Sequence, residues 1–235
     1  LTMSNQTYTI SDTLSNLKSQ ADSDTGGVLA NAAEVRVTGG AIADTGTQHA
    51  DLNTVANVAT GPITATVTGT GTNLADSTLG NLGTGDQVTF QIATGATVAE
   101  VATLAGYRKS NGSYLIDFST NSASLTGALT TFITAGAASA TSNFTTALAQ
   151  TANAPISLTG LTVGSTANIT DINKLFELAE GAVTVTVTDG GASVLSGTDL
   201  TTTSNDAVTI NFGSKAATDS YITEINTLAA QDGIS

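Results

Sequence analysis

Along the chain, apolar residues recur in two alternating rhythms. In the first, Val, Ile or Phe alternates with Thr, Asn or Gln: "VRV" (35–37), "ITATV" (63–67), "VTFQI" (88–92), "YLIDF" (114–118), "ISL" (156–158), "VTVTV" (183–187) and "VTINF" (208–212), with "YTI" (8–10) and "FIT" (132–134) as weaker members. This period of two is the pattern of half-buried strands. In the second, apolar residues fall at i, i+3 and i+6 of a heptad that reads apolar–(Thr/Ala)–(Asp/Glu)–apolar–x–x–apolar. "ITDINKL" (169–175), "ITEINTL" (222–228) and "VAEVATL" (98–104) fit it, and "HADLNTV" (49–55) fits apart from its first letter. "LADSTL" (74–79), "ISDTLSNL" (10–17), "LTGAL" (125–129), "FTTAL" (144–148) and "VLSGTDL" (194–200) are degraded copies. That spacing puts the apolar positions on one face of a short helix.

The heptads also carry helix-start chemistry. Thr97 followed by Glu100 forms a capping box, in which each side chain satisfies an orphan backbone amide. Asp171 and Glu224 sit in first turns, where the helix dipole favours a negative charge. Gly106, Gly181 and Gly233 are placed for left-handed helix ends. Heptads recur about every 26 residues, with a strand segment between them. A strand and a short helix in alternation require parallel strands joined by crossovers. The expected fold is therefore a β-α solenoid of about nine strand–short-helix units of ~26 residues with a parallel sheet. The alternative is a set of tandem β-sandwich domains with the heptads as loops. Residues 1–235 read as one repeat array, and the small-residue stretch 135–155 is the candidate junction within it.

If helices cover one face of such a sheet, the alternate residues point away from them. Thr64, Thr66, Thr89, Gln91, Thr184, Thr186, Thr209 and Asn211 form that outward ladder, which the sequence offers as an assembly face. Ice binding by the ladder is disfavoured by the interruptions at Arg36, Gln91 and Asp117.

Composition narrows the function. The net charge is −13, from 19 acidic and 6 basic residues, so a phosphate-tracking surface for nucleic acid is not expected. An anionic membrane surface is excluded on the same ground. The chain has no cysteine, which removes disulfides, thiolate metal sites and a Cys nucleophile. The opening "LTMSNQTYTI" lacks the basic and apolar regions of a secretory leader, and no apolar run approaches the ~20 residues that span a bilayer. His49 is the single histidine and is expected to be exposed at a helix start rather than catalytic. No nucleophile elbow and no phosphate-binding loop is present. A carbohydrate-acting enzyme would need clustered carboxylates and aromatic platforms, and aromatics are only 4% of the chain. Calcium is the one cofactor that the acidic turns suggest, with Asp22 and Asp24 of "ADSDTGG" as first candidate ligands. "GTGD" (83–86), "TDGG" (188–191) and "SND" (204–206) place further acids in turns, where Asp and Asn ordinarily bond their own backbone.

The run "ADLNTVANVATGPITATVTGT" (50–70), followed by "TVAEVATLAG" (97–106), resembles the Thr/Ala-rich tandem repeats of very large exported bacterial and cyanobacterial surface proteins of surface-layer, adhesin or motility type. Similar repeats are found in fibre-like phage proteins. The resemblance implies a non-enzymatic structural role in an extracellular surface structure, self-association into a polymer or lattice, and in many cases calcium. A virion fibre or decoration protein is the alternative, and a carbohydrate-acting enzyme on a parallel β scaffold is the third reading.

Overall fold

The computed structural model describes residues 8–23, 27–75, 81–83, 85–106, 115–118, 123–151, 154–163, 166–189, 195, 200–212 and 218–234. The protein is an α/β protein in which strands and helices alternate around two parallel sheets. It divides into two compact units, Leu1–Ala96 with Thr103–Ala123, and Thr97–Ala102 with Ser124–Ser235. The stretch 135–155 lies inside the second unit.

The first sheet is built from β1 (Thr9–Asp12), β2 (Glu34–Val37), β3 (Ile42–Asp44), β4 (Ile63–Gly69), β5 (Gln87–Ile92) and β6 (Leu115–Asp117). Helices α1 (Leu14–Asp22), α2 (Gln48–Val58), α3 (Gly71–Ala75) and α4 (Val98–Gly106) stand between the strands in the chain. The strand order is β1-β2-β4-β5-β6, with β3 also against β4, and every pair is parallel. Because β2 meets β4 at Val35–Ile63 and β3 meets it at Ile42–Val67, the two short strands run along one edge of the same long strand. Spatial order thus follows chain order.

The second unit contributes β7 (Leu125–Gly127), α5 (Leu129–Phe132), β8 (Ile133–Thr134), β9 (Ser139–Ala140) and α6 (Ser142–Gln150). It continues with β10 (Ile156–Leu158), β11 (Leu161–Val163), α7 (Thr166–Leu178), β12 (Val183–Asp189), β13 (Ala207–Asn211) and α8 (Asp219–Ala229). Its parallel sheet again follows the chain, with β7 beside β10, β10 and β11 sharing one edge of β12, and β13 on the other edge. A two-stranded antiparallel pair, β8 with β9, stands apart.

The single parallel sheet expected from the repeat is therefore corrected to two, and tandem β-sandwiches are excluded by the parallel pairing. Most strand and helix segments lie where their periodicity puts them. Three expectations fail locally. "ISDTLSNL" and "LTGAL" are each a strand end followed by a helix start, so their apolar spacing spans a junction. "FIT" enters an antiparallel hairpin, not the parallel sheet. Gly106 is the last residue of α4 and is not left-handed, whereas Gly233 is, at φ +81°. "VLSGTDL" falls largely outside the described residues.

The core follows the same periodicities. In β4 the burial alternates strictly, with Ile63, Ala65, Val67 and Gly69 inward and Thr64, Thr66 and Thr68 half-buried on the other face. The inward side chains of α4, Val98, Val101 and Leu104, are almost fully buried. The capping box is formed as expected, with the Thr97 backbone N–H donating to Glu100 Oε2 at 2.7 Å and the Glu100 N–H donating to Thr97 Oγ1 at 3.2 Å. Thr13 and Thr141 cap α1 and α6 through their hydroxyls.

The second unit repeats the first at an offset of 120 positions, which the heptad period alone did not disclose. Helix α2 corresponds to α7, β4 to β12 and β5 to β13. The pairing register agrees: Thr64 faces Gln87, and Thr184 faces Ala207. The units differ after their first strand. In the first, α1 continues unbroken from Leu14 through the buried Leu17. In the second, the corresponding helix ends at Phe132 after one turn, and the β8–β9 hairpin follows before α6 begins. The Phe132 and Phe144 rings seal that break edge to face, 5.2 Å between centroids.

Chain approaches chain closely at Gly61, where an added Cβ would lie 2.5 Å from the Ala32 carbonyl oxygen and 2.6 Å from the Ala33 carbonyl carbon. Backbone on both sides leaves nothing soft to move. Gly61→Ala is expected to lower the unfolding free energy by about 1–3 kcal/mol in urea denaturation.

Candidate functional site

Three arrangements of polar side chains are candidate sites: the outward sheet faces, the acids of the turns, and the buried Asp44 and Asp171.

The outward faces carry the ladder expected from the sequence. In the first unit Thr66 is level with Thr89, and Thr68 with Gln91. Thr64, Thr66, Thr89 and Gln91 are all half-buried. They belong to a cross-linked surface: Thr68 Oγ1 donates to Gln91 Oε1 at 2.8 Å, and Gln91 Nε2 reaches Asp117 Oδ2 at 3.5 Å. At the other end Arg36 grips Glu34 with two bonds of 2.7 and 2.9 Å, and Thr64 Oγ1 donates to the same carboxylate at 3.3 Å. The Arg36 hydrogen bond holds the Glu34 carboxyl below its ordinary range. In the second unit Thr184, Thr186, Thr209 and Asn211 are exposed, and Thr186 is level with Thr209. Their alternation with the buried Val183, Val185, Val187 and Val208 comes directly from the strand pleat.

The acidic turns are engaged by the protein itself. Asp86 is nearly buried, and its Oδ1 accepts from the Ile63 backbone N–H at 2.7 Å while its Oδ2 accepts from the Gly83 N–H at 2.5 Å. Asp206, 120 positions on, does the same with Val183 N–H at 2.9 Å and Thr203 N–H at 2.8 Å. Each carboxylate thus pins the start of the strand 23 residues earlier to the turn that leads into its own strand. A second tether recurs alongside. Asn53 Oδ1 accepts from the Asn81 N–H at 2.9 Å, and Asn173 Oδ1 accepts from the Thr201 N–H at 3.0 Å.

These bonds take up the acids that might otherwise bind a cation. Asp22 forms an exposed i,i+4 ion pair with Lys18 at 2.6 Å, and Asp24 lies outside the described residues. Lys18 is raised above its ordinary pKa by that hydrogen bond. Among the described residues no group of three or more His, Cys, Asp or Glu side chains is placed to hold a metal ion.

His49 is corrected from exposed to buried. It is 6% exposed, and its Nδ1 lies 2.8 Å from Asp44 Oδ2. Asp44 Oδ1 also accepts from the Gly46 N–H at 2.9 Å. The corresponding positions of the second unit are Val163 and Ile169, both buried and apolar. One location in the fold is thus filled by a buried, hydrogen-bonded His–Asp pair in one copy and by hydrocarbon in the other.

Asp51 and Asp171 show a second divergence. Asp171 is buried, and its two oxygens accept from the backbone N–H groups of Gly136 at 2.7 Å and Ala138 at 3.1 Å, in the turn between β8 and β9. They hold Ala138 in a left-handed conformation, φ 46°, which a residue with a Cβ seldom adopts. Asp51 is half-buried and feels the charge of Lys18 instead. The sequence placed Asp171 in a first helical turn, but α7 begins at Thr166 and carries no acid in its first turn; the hairpin that Asp171 grips comes from 35 residues earlier and left no local signal.

No family model, no curated protein and no solved structure matches the chain. Among the described residues no helix is long and apolar enough to cross a membrane.

Two stability measurements check these assignments. Asp86→Ala removes two charge-assisted bonds and strands the Ile63 N–H, and should cost about 2–4 kcal/mol in urea denaturation. Asp206→Ala should cost less, because Asp206 is half-exposed and water can replace the carboxylate. Replacing only one member of the His49–Asp44 pair should cost about 3–5 kcal/mol, while Asp44→Val combined with His49→Ile should be close to neutral. A double variant as unstable as the singles would show that the two units pack this position differently.

Proposed function

We propose that the chain is a non-enzymatic structural segment of an extracellular bacterial surface assembly, of surface-layer, filament or adhesin-stalk type. The observation that carries this reading is the repetition itself. Strand–helix units follow one another in space as they do in the chain, and in each unit one pair of neighbouring strands is pinned by the same Asp and Asn tethers. On this reading each parallel sheet is a short β-α stack, which grows by addition of similar units and whose stability is a sum of neighbour contacts. The outward Thr, Asn and Gln side chains then form the face that meets other copies.

The low aromatic content and the self-satisfied acids support a scaffold over an enzyme. The carboxylates best placed by the fold, Asp86, Asp171 and Asp206, accept hydrogen bonds from backbone N–H groups of neighbouring turns and strands, a structural use that ties down segments of the chain. The acidic surface keeps such a segment soluble while it is exported and assembled.

Negative-stain imaging and light scattering of the purified protein, with and without calcium, test the proposal. Ordered polymers or sheets that grow with concentration are the expected result. Monodisperse monomers under both conditions, accompanied by turnover of a polysaccharide, would replace the scaffold by the enzyme reading.

A further inference from the structure

The two units offer an internal comparison that points to a ligand pocket. Helices α2 and α7 hold the same place, make the same Asn tether, and precede strands pinned by the same Asp. At one inward position they diverge in size. The second unit has Phe176, 6% exposed, and the first has Ala56. Beside Ala56 lies a cavity of about 240 Å³ lined by Ala56, Pro62, Ile63, Asn81, Gly83 and Asp86, among others. Leu82, fully buried where the second unit has Thr202, is not in the cavity wall. The remaining space exceeds the ~150 Å³ that suffices for a benzene molecule in a protein interior.

The chemistry of the wall is divided. Ala56, Ile63 and Pro62 present hydrocarbon, and Asp86 presents a nearly buried carboxylate. Each Asp86 oxygen accepts one backbone N–H, and an ionised carboxylate has about four acceptor positions, so it can take a further donor. The cavity opens at Pro62, Asn81 and Gly85, which are exposed. We propose that this pocket binds a six-membered ring bearing a hydroxyl, a phenolic group. The ring takes the place that the Phe176 benzyl group occupies in the second unit, and the hydroxyl donates to Asp86. The inference does not depend on the assembly reading.

Phenol itself is the probe. Titrated into isotope-labelled protein, it should give saturable shifts centred on the amides of Ala56, Ile63 and Asp86 and leave Val183 and Asp206 unmoved. Ala56→Phe should abolish those shifts and raise the melting temperature, because the chain then fills its own pocket. Phe176→Ala should create phenol-dependent shifts at Val183 and Asp206. A wild-type protein without saturable shifts overturns the proposal. So does an Ala56→Phe variant that still binds phenol or that melts lower than the wild type, since its ring would then not be entering the cavity.

Discussion

Parallel pairing is the constraint on which the rest of this structure depends. Antiparallel strands can be joined by two residues, but parallel neighbours need the chain to travel back the full length of the strand. In both units the return passes through a helix or turn, and the next strand docks beside the last. That geometry sets the length of each repeat, places a helix start soon after many strands, and fixes the alternation of Val and Ile with Thr. The inward residues are buried, and the outward ones are half-buried or exposed.

A long return also has an entropic disadvantage, because the ends of a loop must be brought together before any ladder bond forms. The Asp86 and Asp206 carboxylates act at that point. Each joins the beginning of one strand to the turn entering the next, so the register of two neighbours is fixed by a side chain as well as by the ladder. Register matters because a slip of one residue would turn Thr64 and Thr66 inward and Ile63 and Ala65 outward. The Asn53 and Asn173 tethers tie the helix that precedes the first of these strands to the same return. These are polar interactions at buried or half-buried places, where an unmet backbone N–H is costly.

The duplication lets one fold be compared with itself. The position filled by Asp44 and His49 in one unit is filled by Val163 and Ile169 in the other. A buried polar pair and a hydrocarbon pair can serve the same place because each polar side chain finds in the other the hydrogen-bond partner that burial removes. Asp171 has recruited a hairpin turn where Asp51 has only the neighbouring charge of Lys18. Ala56 borders an open pocket where the second unit has the buried Phe176. Conserved geometry with divergent side chains shows which contacts set the architecture: the carboxylate and amide tethers recur, and the packing around them varies.

The sequence alone determined the elements. The alternation at 63–67, 88–92 and 183–187 and the heptads at 98–104 and 169–175 each placed an element within a few residues, because period two and period 3.6 are local properties of the backbone. The Thr97–Glu100 capping box was legible for the same reason. Only the tertiary structure decided that the strands divide between two sheets, that "LTGAL" breaks across a strand and a helix, that His49 is buried against Asp44, and that Asp86 reaches back to Ile63. Those outcomes depend on residues distant in sequence, and a period near 26 is compatible with one sheet or with two. Side-chain rhythm records which face of an element is covered; it does not record what covers it.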